Sequence, residues 1–189
     1  MKSMLTFVLL LTILLAHQAS SIKNTRKTKS KSKTKVLPNS TVVQPSGNKL
    51  CSCYAVYASA QTLGKTIPAD VPAKCTSLQS KGINLSRYAY EDLGLGTPLR
   101  LLRSSVGFDT CLAKFSTSPA VLDISWGTKG KQHVVYVVDV TTTEIIARDQ
   151  QNSQNKLVFT KSTGKLDKTK SEGFWSTQTA TLDAVRCIK

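Results

Sequence analysis

Histidine, methionine and tryptophan are the scarcest residues in this 189-residue chain, with two of each. The shortage of histidine excludes most. His17 lies in an N-terminal apolar segment expected to be removed, which leaves His133 as the one imidazole of the mature chain. A nuclease built on paired histidines is thereby excluded. With the thiols largely committed to bridges, one His also leaves too few ligands for a metal site, and no cofactor is expected. After residue 16 no apolar run is long enough to cross a bilayer, so no membrane span is expected. There is no internal repeat. Acidic residues are missing altogether before Asp70.

What is present begins with a short basic start, Met1-Lys2, followed by an uncharged apolar run from Met4 to Ala16. With Ala19-Ser20-Ser21 behind it, this reads as a cleaved secretory signal over residues 1–21. Next come Lys23, Arg26, Lys27, Lys29, Lys31, Lys33 and Lys35, alternating with Ser, Thr and Asn. Such a block repels itself and has nothing to bury, so 22–40 is expected to be a disordered basic tail or pro-segment. It could tether the protein to an anionic surface: a glycan, an acidic lipid or nucleic acid. Of the net charge of +15, Lys2 and these seven residues carry eight units, and the remainder is only moderately basic at about +7. Residues 41–189 are left for one domain, large enough for a real core. Export would put the five cysteines (Cys51, Cys53, Cys75, Cys111 and Cys187) in an oxidising compartment where two bridges leave one thiol over.

Along the domain, Val36 to Pro45 reads as extended and Pro45-Ser46-Gly47-Asn48 as a turn. From Cys53 to Leu63 the chain is rich in Ala and free of Pro. It sets Val56, Tyr57, Ala60 and Leu63 on one face before Gly64, which predicts a helix with a Cys in its first turn. An N-terminal helix position favours a thiolate. A short helix is predicted over 73–80. Tyr88 to Gly96 leads to Thr97-Pro98, which suit the N-cap and first position of a helix over 98–103. Another short helix is predicted over 109–115. Strands follow at 119–126, 131–140, 144–149 and 157–160, and the chain closes with a strand or irregular segment at 179–187. Helices first and an antiparallel sheet second is the α+β pattern. His133 opens one strand and Asp149 closes the next, so a hairpin could bring their side chains together.

A Cys at a helix start, a His at the head of a later strand and an Asp at the end of the next supply a nucleophile, a base and an orienter. The quoted stretches are Gln44 ahead of the cysteines, Cys53-Tyr54-Ala55, Ser118-Pro119-Ala120-Val121-Leu122, His133-Val134-Val135 and Ile146-Ala147-Arg148-Asp149. In their order and spacing they resemble a papain-like cysteine peptidase of the compact microbial kind, similar to bacteriocin-processing and staphopain-related secreted peptidases. The resemblance covers Gln44 to about Asp149. It implies an α+β fold whose N-terminal helix carries the Cys and packs on an antiparallel sheet. It further implies that Cys53 is the nucleophile, His133 the general base and Asp149 the orienter. Gln44 would complete an oxyanion hole with the Cys53 backbone N–H. The gap from Gln44 to Cys53 is longer than the family's, and Gln150 stands where compact relatives often have Pro. Counting from Gln44 favours Cys51 instead, whereas the helix pattern and Tyr54 favour Cys53. Cys51–Cys75 and Cys111–Cys187 bridges would leave Cys53 free.

The expectation is therefore a secreted, monomeric cysteine hydrolase acting on protein or peptide substrates through an acyl-enzyme. Transglutamination or deamidation would use the same three residues. The alternative is an inactive, disulfide-stabilised basic secreted protein that binds polyanions or a partner protein. Trp126 and Trp175 are assigned to the core or to a cleft lining.

Overall fold

The β-branched runs in the second half of the chain pair into one antiparallel sheet, and the Ala-rich segment that precedes them packs as a helix against it. The structure is a computed structural model and describes residues 36–189. The expected signal segment, His17 and the basic run through Lys35 lie outside the described residues. The tail boundary moves, because Leu37 is buried and its N–H bonds Val138 O at 3.0 Å. Ser40 Oγ also donates to Gln61 Oε1 at 2.6 Å. Leu37 and Ser40, assigned to the tail from sequence, thus pack on the domain.

Six strands form the sheet: β1 (Leu99–Leu102), β2 (Val121–Trp126), β3 (Lys131–Val140), β4 (Glu144–Asp149), β5 (Asn155–Thr160) and β6 (Ala180–Cys187), in the order β1-β6-β2-β3-β4-β5. Every neighbouring pair is antiparallel. β3 is buried continuously from His133 to Asp139, and its centre, Val134 to Val138, is accordingly an unbroken apolar run rather than an alternation. β4 alternates instead, with Ile145, Ala147 and Asp149 buried.

Four helices precede or interrupt the strands: α1 (Cys51–Thr62), α2 (Val71–Gln79), α3 (Leu85–Asp92) and α4 (Phe108–Ala113). α1 is buried on almost every side, and small Ala side chains let its axis approach β3 closely. Asp70 caps α2 by accepting Ala73 N–H at 2.8 Å. Two disulfides bind the helices down: Cys53–Cys75 ties α1 to α2, and Cys111–Cys187 ties α4 to the end of β6. Closing loops of 22 and 76 residues stabilises the fold by about 3 and about 4–5 kcal/mol in the chain-entropy treatment. Among the described residues no helix is long and apolar enough to cross a membrane.

The helix expected after Thr97-Pro98 is instead strand β1. Leu99 and Leu101 alternate with the more exposed Arg100 and Leu102, and pairing with β6 outweighs the local capping signal. Conversely, α3 was read only as a lead-in. Its Leu85, Ala89 and Tyr90 share one buried face, and Arg87 pairs with Glu91 four residues on.

Candidate active site

The N-terminus of α1 decides which cysteine is available. Successive helical residues rotate by about 100°, so Cys51 and Cys53 point in nearly opposite directions. Cys53 faces the core, has no exposed surface and is bonded to Cys75. The nucleophile expected at Cys53 is thereby overturned, and so is a Cys51–Cys75 bridge. The Cys111–Cys187 pair forms as expected. Cys51 is the one free thiol among the described residues and is half-buried at the mouth of a cleft. The Ala-rich pattern and Tyr54 pointed to Cys53 because they mark the most buried face of the helix, and that is where a bridge sits rather than a reactive thiol. The expected oxyanion donor changes as well. Cys53 N–H bonds Leu50 O at 3.0 Å, whereas the N–H of Cys51, the first helical residue, has no intrahelical acceptor.

His133 and Asp149 meet as the hairpin reading anticipated, but a β-bulge is what makes it possible. Val140 pairs with Ile145 and Asp139 with Ile146, then the register shifts so that Val137 pairs with Ala147 and Tyr136 with Arg148. Val138 is the extra residue. Without it, Asp149 would fall opposite Tyr136 and point to the other face of the sheet from His133. With it, Asp149 falls opposite Val135 and shares a face with His133. The result is a His133 Nε2 to Asp149 Oδ1 distance of 2.9 Å, with both residues buried.

Asp149 is fully enclosed, and both of its oxygens accept further bonds. Gln151 N–H donates to Oδ1 at 2.9 Å, while Asn152 Nδ2 and Trp175 Nε1 donate to Oδ2 at 2.6 and 2.9 Å. Burial works against the carboxylate, but the hydrogen bond and charge of His133, with the Asn152 and Gln151 donors, hold its pKa below the ordinary value. Burial likewise works against a charged imidazole. Asp149 and the facing Cys51 thiol reverse that effect and bring His133 up to about 9. Because Nε2 serves Asp149, Nδ1 is the ring nitrogen left over, and His133 and Cys51 line the same cleft.

Trp175, read from sequence as core or cleft lining, lines the cleft, and Gln150, read only as a departure, also belongs to this site. Trp175 lies on a 3₁₀ turn, Gly173–Ser176, and stacks on the His133 ring at a centroid distance of 6.1 Å and an angle of 20°. It covers the His133–Asp149 bond from solvent. Gly173 is needed there: its φ is +50° and a Cβ would lie 2.3 Å from Asn155 Nδ2. Gln150 is fully buried. Its Nε2 approaches Val134 O at 2.9 Å and both Cys51 O and Gln44 Oε1 at 3.1 Å. One amide thus links the Cys51, His133 and Gln44 segments. A proline could not make these bonds, which gives the departure from the expected residue a physical reason. Gln44 lines the cleft, with Nε2 donating to Asn48 O at 2.6 Å. Sequence spacing could not have shown the bond of Trp175 to Asp149, because Trp175 arrives 26 residues later at the end of a charged loop.

The cleft encloses about 850 Å³, with Gln44 and Cys51 on the helix side, His133 on the sheet side and Trp126, Phe174 and Trp175 as an aromatic wall. Trp126 meets Phe174 and Trp175 edge-on at 5.3 and 5.8 Å. Among the described residues no three His, Cys, Asp or Glu side chains cluster as metal ligands would. The arrangement brings together a thiol, an imidazole and a buried carboxylate in series beside free backbone N–H groups, which is the set required for acyl transfer to sulfur. No protein-family model matches the chain, and no curated protein matches it.

Proposed function

We propose that this protein is a secreted cysteine hydrolase of papain-like architecture that cleaves peptide bonds, with Cys51 as its nucleophile. One observation carries the reading: the thiol left out of both disulfides shares a cleft with a histidine bonded to a fully buried, four-times hydrogen-bonded aspartate. His133 carries the proton of the Cys51–His133 pair, and the Cys51 sulfur attacks the scissile carbonyl to give a tetrahedral oxyanion. The Cys51 N–H and the second Nε2 proton of Gln44 stabilise that charge. Collapse expels the amine, which is protonated by His133, and leaves a thioester. Water, deprotonated by His133, then attacks the thioester and releases the acid and the thiol. Asp149 holds the ring orientation and its charge throughout, and Trp175 keeps water away from that bond.

Two disulfides support an oxidising destination and hence secretion. The basic tail, which lies mostly outside the described residues, is read as a pro-segment or anionic tether. The reading is tested by mapping iodoacetamide on the native protein and assaying peptide cleavage. Labelling at Cys51 and activity lost in Cys51→Ala are expected. A native protein that is neither labelled nor active would overturn the reading in favour of a disulfide-stabilised binding protein.

A further inference from the structure

We infer that the cleft selects peptides with an acidic side chain beside the bond that is cleaved, and that Lys49 and Lys131 recognise it. This rests on the hydrolase reading above. Lys49 stands two residues before Cys51, and Lys131 two residues before His133, so one ammonium flanks the nucleophile and the other the base. Both line the cleft. Among the described residues neither takes part in an ion pair, so both ammoniums are left to the cleft.

Nothing in the cleft neutralises them. Besides the Cys51 thiol and the His133 imidazole, its lining is glycine, amide, hydroxyl, aromatic and lysine, with no carboxylate. Asp149 lies behind the lining with no exposed surface, and its charge is matched by His133. Lys131 Nζ rests 4.9 Å from the Trp126 ring centroid, a position that holds the ammonium on the aromatic wall without satisfying its charge. A neighbouring groove of about 490 Å³ shares Trp126 and Lys131 and adds Lys129, which extends the cationic surface away from Cys51. Single ammoniums on facing segments suit single carboxylates on an extended chain. A phosphate or a polyanion would call for converging guanidinium donors, and the cleft has no arginine.

Two measurements test this, one of them independent of turnover. The first compares alkylation of Cys51 by iodoacetate and by iodoacetamide at neutral pH and low salt. The iodoacetate-to-iodoacetamide rate ratio should fall by about three- to tenfold in the Lys49→Ala/Lys131→Ala double variant, as expected for two partly screened charges. An unchanged ratio overturns the inference. The ratio cancels any general loss of Cys51 accessibility. The second uses peptides with Asp, Ala or Lys beside the scissile bond. kcat/KM should rank Asp above Ala above Lys, and Lys49→Glu/Lys131→Glu should reverse the order. Equal cleavage of acidic and neutral peptides would reject the acidic preference while leaving the hydrolase intact. A ratio that falls although no peptide is cleaved would keep the anion-selective cleft and reject the hydrolase.

Discussion

Two buried aspartates in this molecule are held in opposite ways. Asp123, on β2, receives Arg186 through Nε and Nη2 at 2.9 and 3.0 Å and Arg100 Nε at 2.6 Å. Asp149, at the end of β4, receives an imidazole, an indole, an amide and one backbone N–H. The guanidinium groups never lose their protons, so the Asp123 cluster is fixed in charge and ties β1, β2 and β6 together. The imidazole can lose its proton, and it faces a free thiol across a cleft. The same residue type, equally removed from water, is a clamp in one place and a partner to proton transfer in the other. The difference lies in whether the neighbouring cation titrates.

The largest expected effect breaks the comparison at the thiol. Cys51→Ala should abolish measurable peptide cleavage, a loss on the order of 10⁴-fold or more. Cys53→Ala should lose about 3 kcal/mol of stability with its bridge and still be labelled at Cys51. Kinetics and urea unfolding on the two variants check this. Exchanging the aspartates comes next. Asp149→Asn should lower kcat/KM by roughly 10²- to 10⁴-fold through loss of ring orientation and charge. Asp123→Asn should leave kcat/KM within about threefold and cost about 2 kcal/mol, a modest figure because the Arg100 side chain is 47% exposed. Equal losses of activity in the two variants would end the distinction.

The pH dependence sharpens it. His133 is raised from 6.5 to about 9, so its contribution to stability is complete below about pH 6.5 and is lost as pH rises through about 9. The alkaline limb of kcat/KM should fall over the same window, and Asp149→Asn should move that limb to lower pH because it removes a group that raises the imidazole. His133→Gln should flatten the stability profile between pH 6.5 and 9, whereas Asp123→Asn should leave its shape unchanged. Among the groups that hold the His133–Asp149 pair, the smallest effect is expected at Trp175→Phe, which keeps an aromatic ring but removes the N–H donated to Asp149. kcat should drop about tenfold with KM little changed, and stability by about 1–2 kcal/mol.

Much of the fold was legible where local pattern and tertiary need agree. The unbroken apolar run of β3, the alternation in β4 and the Ala-rich α1 each carry their environment in their own composition. β1 was misread because Thr97-Pro98 satisfies a helix start locally, while the partner that makes it a strand lies more than 80 residues away in β6. Of the site, the pairing of His133 with Asp149 was legible from residue type and order, and Gln44 was placed only through the resemblance. Trp175 was legible only as core or cleft lining, and the linking role of Gln150 was not, since a linking amide has no local signature.

The sequence by itself determined which kinds of groups exist: one imidazole in the domain, an odd thiol, a carboxylate at the end of the next strand and an α+β order of elements. Those are properties of composition and of short-range periodicity. Only the tertiary structure decided that Cys53 is the bridged cysteine and Cys51 the free one, because their assignment depends on which side of α1 faces α2. The structure also decided that Asp149 faces His133. One extra residue, Val138, shifts the pairing of β3 and β4, and a side-chain period of two turns that single shift into the choice of face.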